Sequence, residues 1–397
     1  MFTLGRRLAV VPALSLTVLA CSAPPAGSSD GESAASQDEA LGYGGARGAV
    51  FTITNAAAGN EVLSFRPERD GSLAAAGHYA TGGLGSGAGL GSQGALALSE
   101  DGRFLVAVNA GSNEVSSFSV DGAELTLRSH VSSGGLQPIS VAVRDHLVYV
   151  VNAGAPNTVA GLFLDGRGRL SPILGASRPL GSGNVGPAQV SFTPRGDAIV
   201  VTEKAANALE TFAIRGDGAL REGQTIASSG QTPFGFAFSS AGDLIVSEAF
   251  GGAAGRGAVS SYRVNHDPDG DGDRDRDSGL TPISASVPDF QGAPCWVTIT
   301  PDARYAFTAN AGSASISGYH VDRAGRLTLS NADGVSAATG AGSKPLDMAL
   351  DRGGRRLYLL DGGSHGVQSF DVRDDGALVK TGAIAGLPAT IVGIAAL

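Results

Sequence analysis

Four short runs of β-forming residues, punctuated by turn residues, recur about every 50 residues along most of this chain. From Gln93 to Gly135 the unit reads QGALALSEDGRFLVAVNAGSNEVSSFSVDGAELTLRSHVSSGG. Its runs are Ala95–Leu98, Phe104–Val108, Glu114–Val120 and Glu124–Val131. Asp-Gly between alternating apolar runs predicts type I′ hairpins, whose central residues need positive φ. The pattern restarts at Pro138, Pro187, Pro233, Pro294 and Pro345. A copy from Val50 holds only the last three runs, and the chain closes on LPATIVGIAAL (Leu387–Leu397), a first run with nothing after it.

A single four-stranded sheet of this kind cannot cover its own faces, so the copies must stack. Stacked radially, they form an all-β, seven-bladed β-propeller of four-stranded blades. The surplus run at Leu387–Leu397 then completes the N-terminal blade and closes the ring. Sixty glycines and 18 prolines suit many tight turns, and 42% hydrophobic residues supply a core. The net charge of −9, without a basic stripe, excludes nucleic acid as a partner.

The N-terminus reads as an address. Arg6 and Arg7 precede a short apolar run, Leu8 to Leu19, that ends in Val-Leu-Ala-Cys. That motif resembles a bacterial lipobox, with residues 1–20 a signal peptide and Cys21 the lipid-bearing mature N-terminus; ordinary secretory cleavage near Ala20 is the alternative. Residues 21–48, small, polar and rich in Pro and Gly, form a flexible tether, and 49–397 form the propeller. The expected location is the bacterial cell envelope, on the outer-membrane or periplasmic side in a Gram-negative cell, with the membrane itself a partner through the anchor. Only Cys295 remains beside Cys21, so no disulfide braces the fold.

The turn Ser99-Glu100-Asp101-Gly102-Arg103, its counterpart Thr300-Pro301-Asp302-Ala303-Arg304, the following VAVNAGSNEVSSF and the Asp-Gly-x-Leu hairpin resemble the lactonase-type seven-bladed propellers, relatives of 6-phosphogluconolactonase and carboxymuconate cyclase. The resemblance runs from Val50 to Leu397 and implies a lactone-directed chemistry at the channel mouth. Enzymes of this group commonly enter a first strand through His-Pro-His. Here the prolines follow Gln137, Thr232, Ala293 and Lys344. That departure favours a module that binds a small neutral ligand or an envelope protein over a hydrolase or lactonising cyclase.

In a propeller the loops into first strands share one face with the turns between second and third strands. Asn55, Asn109, Asn152, Glu203, Glu248, Asn310 and Asp361 align there. Asparagine serves such turns by capping backbone N–H groups. Glutamate serves them poorly, so Glu203 and Glu248, in consecutive blades, are candidates for an acid/base pair or a cation site; solvated rim carboxylates are the alternative. Two residues past each entry proline lie the channel positions Ser140, Gln189, Gly235, Trp296 and Asp347, with Thr390 in the closing run. Gln189, Trp296 and Asp347 are candidate ligand contacts, Trp296 as a stacking platform or a channel plug. Lys344 can meet an anion or form a rim ion pair.

Residues 265–279, NHDPDGDGDRDRDSG, replace the usual turn between a third and a fourth strand. Asp267, Asp269, Asp271, Asp273 and Asp275 resemble the opening of a calcium loop, although Ser278 stands where an EF-hand places its bidentate Glu. Structural calcium is expected there, on the face opposite Glu203; a solvated acidic tip, partly neutralised by Arg274 and Arg276, is the alternative. The six histidines have no metal spacing, and no nucleophile elbow or phosphate loop is present.

Overall fold

Covering both faces of every inner strand leaves the four-stranded unit one arrangement, and the chain adopts it. The computed structural model describes residues 48–265 and 279–397. Seven antiparallel sheets stand in sequence around an axis. Blade 2, the first complete one, comprises Leu96–Leu98, Phe104–Asn109, Glu114–Asp121 and Glu124–Ser132. Blades 3 to 7 begin at Pro138, Pro187, Pro233, Pro294 and Pro345. In blades 3 and 6 the outer strand is split in two, as Leu170–Pro172 with Arg178–Pro179 and Leu327–Leu329 with Ala337–Ala338. Pro172 cannot donate to the ladder, and the strand bulges out there.

Blade 1 closes the ring. Its order is Leu73–Ala80, Glu61–Pro67, Val50–Ile53 and, innermost, Val392–Ala396. Val50 pairs with Ala396 on one side and with Phe65 on the other. Leu397 N–H donates to Ala49 O at 2.9 Å, so both ends of the ring are held in one blade.

Burial follows strand rank. Second strands such as Phe104–Asn109, Ala198–Glu203 and Asp243–Glu248 are buried at every residue, whereas the outer strand Glu124–Ser132 is mostly exposed. Second strands therefore read as continuous apolar runs, because neighbouring blades cover both faces. Apolar side chains interdigitate at the blade contacts: Val200, Leu209, Phe236, Leu244 and Tyr262 fill one between blades 4 and 5. Some buried tyrosines tie blades together through their hydroxyls: Tyr149 Oη donates to Gly218 O of the next blade at 2.7 Å, and Tyr319 Oη to Val287 O of the preceding one at 3.2 Å.

The Asp-Gly turns are not type I′. In Asp165-Gly166-Arg167-Gly168, Gly168 N–H donates to Asp165 O and Asp165 N–H to Arg169 O, and the left-handed residue is Gly168 (φ 82°). The same three-residue plan, a type I turn and then a left-handed glycine, recurs at Asp322–Gly325 and Arg373–Gly376. The aspartate decides it: Asp165 Oδ1 accepts the N–H groups of Arg167 and Arg169, both at 2.8 Å, which lengthens the turn by one residue. These glycines also nest against the preceding blade. A Cβ on Gly376 would fall 2.4 Å from the Tyr305 ring.

Removing Leu387–Leu397 strips blade 1 of its inner strand and exposes an edge facing the axis. The truncated protein is expected to melt well below the full chain and to aggregate. Thermal unfolding and size-exclusion chromatography of the two check it; equal melting would mean the ring does not need this strand.

Candidate functional site

The loop from blade 1 into blade 2 has no entry proline and is the most glycine-rich of the ring, TGGLGSGAGLGSQG (residues 81–94). Its last residues, Leu90–Gly94, drop into the axis and bond to one blade after another. Ser92 Oγ donates to Ile139 O at 2.8 Å, and Val141 N–H to Gly94 O at 2.8 Å, both on blade 3. Gln93 N–H donates to Ala188 O of blade 4 at 3.1 Å, and Lys204 of the same blade donates Nζ to Gly91 O. The Gln93 amide pairs with both backbone groups of Val297 on blade 6, at 2.8 and 2.9 Å. Gly94 N–H donates to Asp347 Oδ2 of blade 7 at 3.1 Å. On blade 5, Gly235 leaves room for Gln93, since a Cβ there would sit 2.1 Å from Gln93 Oε1. The segment plugs the upper channel.

Trp296 serves this plug. Its indole N–H donates to Ser92 O at 2.9 Å, and its ring meets Phe234 edge-on at 5.2 Å. Gln189 is also engaged, exchanging two hydrogen bonds with Phe236 of blade 5 at 2.7 and 2.9 Å. Lys344 is exposed at the loop into blade 7 and does not pair with Asp347, which faces the axis.

The seven strand-end residues are not a solvated rim. Asn55, Asn109, Asn152, Glu203, Glu248, Asn310 and Asp361 are all at most 1% exposed. Each lies under the loop that enters its own or the next blade, and most are bonded to the third strand. Asn109 donates to Ser116 Oγ at 2.8 Å, and Asn310 to Ser317 Oγ at 2.8 Å. Asp361 accepts from Gln368 Nε2 and from Lys344 N–H, each at 2.8 Å. Glu248 accepts from Gly230 N–H, Ser260 Oγ and Ser286 Oγ. Burial raises its carboxyl pKa against these three donors.

Glu203 departs from that scheme. Its third-strand partner is a second carboxyl, Glu210, whose Oε2 accepts Gly181 N–H at 3.2 Å from the covering loop. Neither oxygen of Glu203 has a donor to accept from. Two carboxyls can bond each other only by sharing a proton, so burial and the neighbouring acid hold Glu203 well above the usual carboxylate range. Glu203 and Glu248 are thus separate buried networks in blades 4 and 5, and no hydrogen bond joins them.

Below the plug the channel widens into a cavity of about 300 Å³. Gln93 and Gly94 of the plug close it above, and Ala97, Val141, Gln189, Val190, Met348 and Ile394 line it. Its ionisable groups are Asp347, Arg144 and Glu100. Asp347 is 2% exposed and accepts N–H groups from Gly94 and from Met348. Burial nevertheless pushes its carboxyl up to about 7. Arg144 ends the inner strand of blade 3, four residues beyond the position equivalent to Asp347, or about 13 Å along the strand. Its Nη1 lies 3.1 Å from Glu100 Oε1. Of the candidates named from sequence, Gln189 and Asp347 share this cavity; Glu203, Glu248, Trp296 and Lys344 do not line it.

Arg144 and Glu100 were not among those candidates, though a signal existed: Arg144 is the one charged residue to end a first strand. Asp267, Asp269, Asp271, Asp273, Asp275 and Cys21 lie outside the described residues. The strands flanking the Asp-rich insertion, Ala258–Val264 and Leu280–Pro288, are the third and fourth of blade 5, as expected. Among the described residues no group of three or more His, Cys, Asp or Glu can hold a metal ion.

The pH dependence of stability has a defined sign. A carboxyl whose folded pKa exceeds its unfolded value stabilises the fold fully below the unfolded pKa, and that contribution is lost as pH rises through the folded one. Glu203 and Asp347 both act this way, so stability should fall from about pH 4.5 through neutrality. Glu203→Gln supplies an amide donor to Glu210 and removes one of the two titrations. Its melting temperature should exceed wild type at pH 8 and converge on it near pH 4.5; parallel curves would show that the pair does not share a proton.

A family model described as lactonase, 7-bladed beta-propeller, matches residues 58–163 and 157–249. Among solved structures the chain is similar to a putative 6-phosphogluconolactonase from Bacteroides fragilis, at 18% identity and a TM-score of 0.66 over 88% of this chain and 98% of that one. A putative 6-phosphogluconolactonase from Bacteroides uniformis is similar at 19% identity and 0.66, over 88% and 99%. The periplasmic gluconolactonase PpgL of Pseudomonas aeruginosa is similar at 16% and 0.63, over 88% and 99%. At these identities the likeness speaks for the fold. No curated protein matches the chain in sequence.

Proposed function

The chain belongs to the lactonase family of seven-bladed β-propellers, and on that premise we propose that it binds a small sugar-type lactone or polyol in the lower channel cavity. The observation that carries this reading is the cavity itself: about 300 Å³, open below and blocked above by Leu90–Gly94, with a carboxyl near its roof and a guanidinium near its mouth. Those dimensions suit a single sugar ring. The lining holds one cation, Arg144, and a phosphate group asks for more, so the proposed ligand is unphosphorylated.

Turnover is the second reading, favoured by the family and by an Asp347 carboxyl poised near neutrality. In that reaction Asp347 takes a proton from water as its oxygen adds to the lactone carbonyl. The ring C–O bond then breaks, and the proton passes to the departing alkoxide. A guanidinium must meanwhile steady the oxyanion at the same carbonyl. Arg144 starts about 13 Å farther along the strand direction than Asp347. That spacing brackets a ligand end to end more readily than it serves one carbonyl.

Calorimetry with glucono-1,5-lactone and with sorbitol should give binding that Asp347→Asn weakens, and a pH-stat assay should give little hydrolysis above background. Rapid hydrolysis abolished by Asp347→Asn would establish the enzyme reading; absence of binding would remove the cavity as a site.

We also propose that the chain is exported and anchored in the cell envelope by lipid on Cys21, as its Val-Leu-Ala-Cys motif implies. Incorporation of an alkyne-labelled fatty acid into wild type but not Cys21→Ser checks this, and equal labelling of both would exclude it.

A further inference from the structure

The ion pair at the cavity mouth is asymmetric. Arg144 is fixed: its side chain is 25% exposed and lies across Gly196 of blade 4, where an added Cβ would fall 2.5 Å from Nε. Glu100 is held by its backbone, whose carbonyl accepts Arg352 Nη2 at 2.9 Å, while its side chain is 61% exposed. Asp145, the next nearest carboxylate, stands 4.0 Å from Nε and is 78% exposed. Glu100 also lines a second, smaller cavity of about 150 Å³ on the same face, together with Ser99, Arg103, Asp145 and His146. The carboxylate that occupies Arg144 therefore has open space to swing into.

We propose that Arg144 is the carboxylate receptor of the lower cavity, and that an open-chain hydroxy acid binds by displacing the side chain of Glu100 into the neighbouring groove. The inference rests on the cavity being the ligand site, and it extends the ligand class from neutral sugar derivatives to their singly charged acids. A planar guanidinium takes a carboxylate through two parallel N–H bonds, which a solvated Glu100 at 3.1 Å gives up at little cost. Hydroxyls along the ligand then extend up the cavity in the direction of Gln189 and Asp347. A lactone ring lacks the carboxylate and gains nothing from Arg144 beyond a single hydrogen bond, so the ring-opened acid is held more tightly than the lactone it derives from.

Isothermal titration calorimetry with D-gluconate and with sorbitol, its uncharged counterpart, tests this on wild type, Glu100→Gln, Arg144→Gln and Arg144→Lys. Glu100→Gln removes the competitor and should tighten gluconate binding roughly tenfold while leaving sorbitol unchanged. Arg144→Gln should weaken gluconate roughly tenfold or more, again without moving sorbitol. Arg144→Lys keeps the charge and the stem over Gly196 but loses the fork, and should fall between; it carries the test if Arg144→Gln melts early. A gluconate-to-sorbitol affinity ratio that is the same in all four proteins overturns the inference and leaves the cavity as a ligand site. No heat from either ligand in any protein overturns both.

Discussion

Seven blades around an axis leave a hole that no blade can fill from its own inner strand, and the molecule depends on how that hole is closed. Here five residues of one connecting loop do it, with their backbone as the main binding surface. Leu90–Gly94 reaches blades 3, 4, 6 and 7 through hydrogen bonds and rests against Gly235 of blade 5. It is glycine-rich because the chain must pass within hydrogen-bonding distance of several strands at once. Each bond is worth only about 1 kcal/mol net, but breaking one in this dry interior strands its partner, which costs more. The plug thus ties blades that never touch each other, in a protein whose Cys295 is a free, buried thiol. It also decides where a ligand can go, because the upper channel is occupied and the lower channel is not.

The strand-end residues act at a larger radius by the same principle. A polar side chain at the end of the second strand, bonded to the third, draws a connecting loop down over the blade. Asn109, Asn310, Asp361 and Glu248 do this with donors and acceptors matched. The Glu203–Glu210 pair does it only with a proton between the carboxyls, so the loop over blade 4 is held by a shared-proton contact.

Legibility divided along the distance over which a partner acts. Blade number, most strand limits to within a residue or two and the closing strand were readable, because alternation and turn residues are local signals; the closing strand itself begins only at Val392, and Thr390 lies in the turn before it. The hairpin type was misread because Asp165 reorganises its turn through a side chain, and a two-residue Asp-Gly template cannot register that. Burial of Glu203 and Glu248 was not readable: their covers, Gly181 and Gly230, belong to loops whose path emerges only in the assembled blade. Trp296 was placed in the channel correctly, yet its partner Ser92 lies 204 residues away. Asp347 and Gln189 were found from their spacing after an entry proline, and they do line the cavity. Arg144 was passed over although it is the one charged residue to end a first strand, because the channel positions were sought at the entry end of those strands and not at the exit.

The way blade 1 is built governs how the molecule bears load. The chain that enters the ring at Gly48 runs straight into Val50–Ile53, a strand flanked by Glu61–Pro67 on one side and Val392–Ala396 on the other. Tension on the preceding segment is directed along that strand, so it acts across two ladders together, with Leu397 N–H bonded to Ala49 O at the point of entry. Extraction must shear all these bonds in parallel; a strand at an open edge would peel away one bond at a time. Splitting a blade between the two ends of the chain converts a seam into a mechanical clamp, placed where a pull on the N-terminal segment would first be felt.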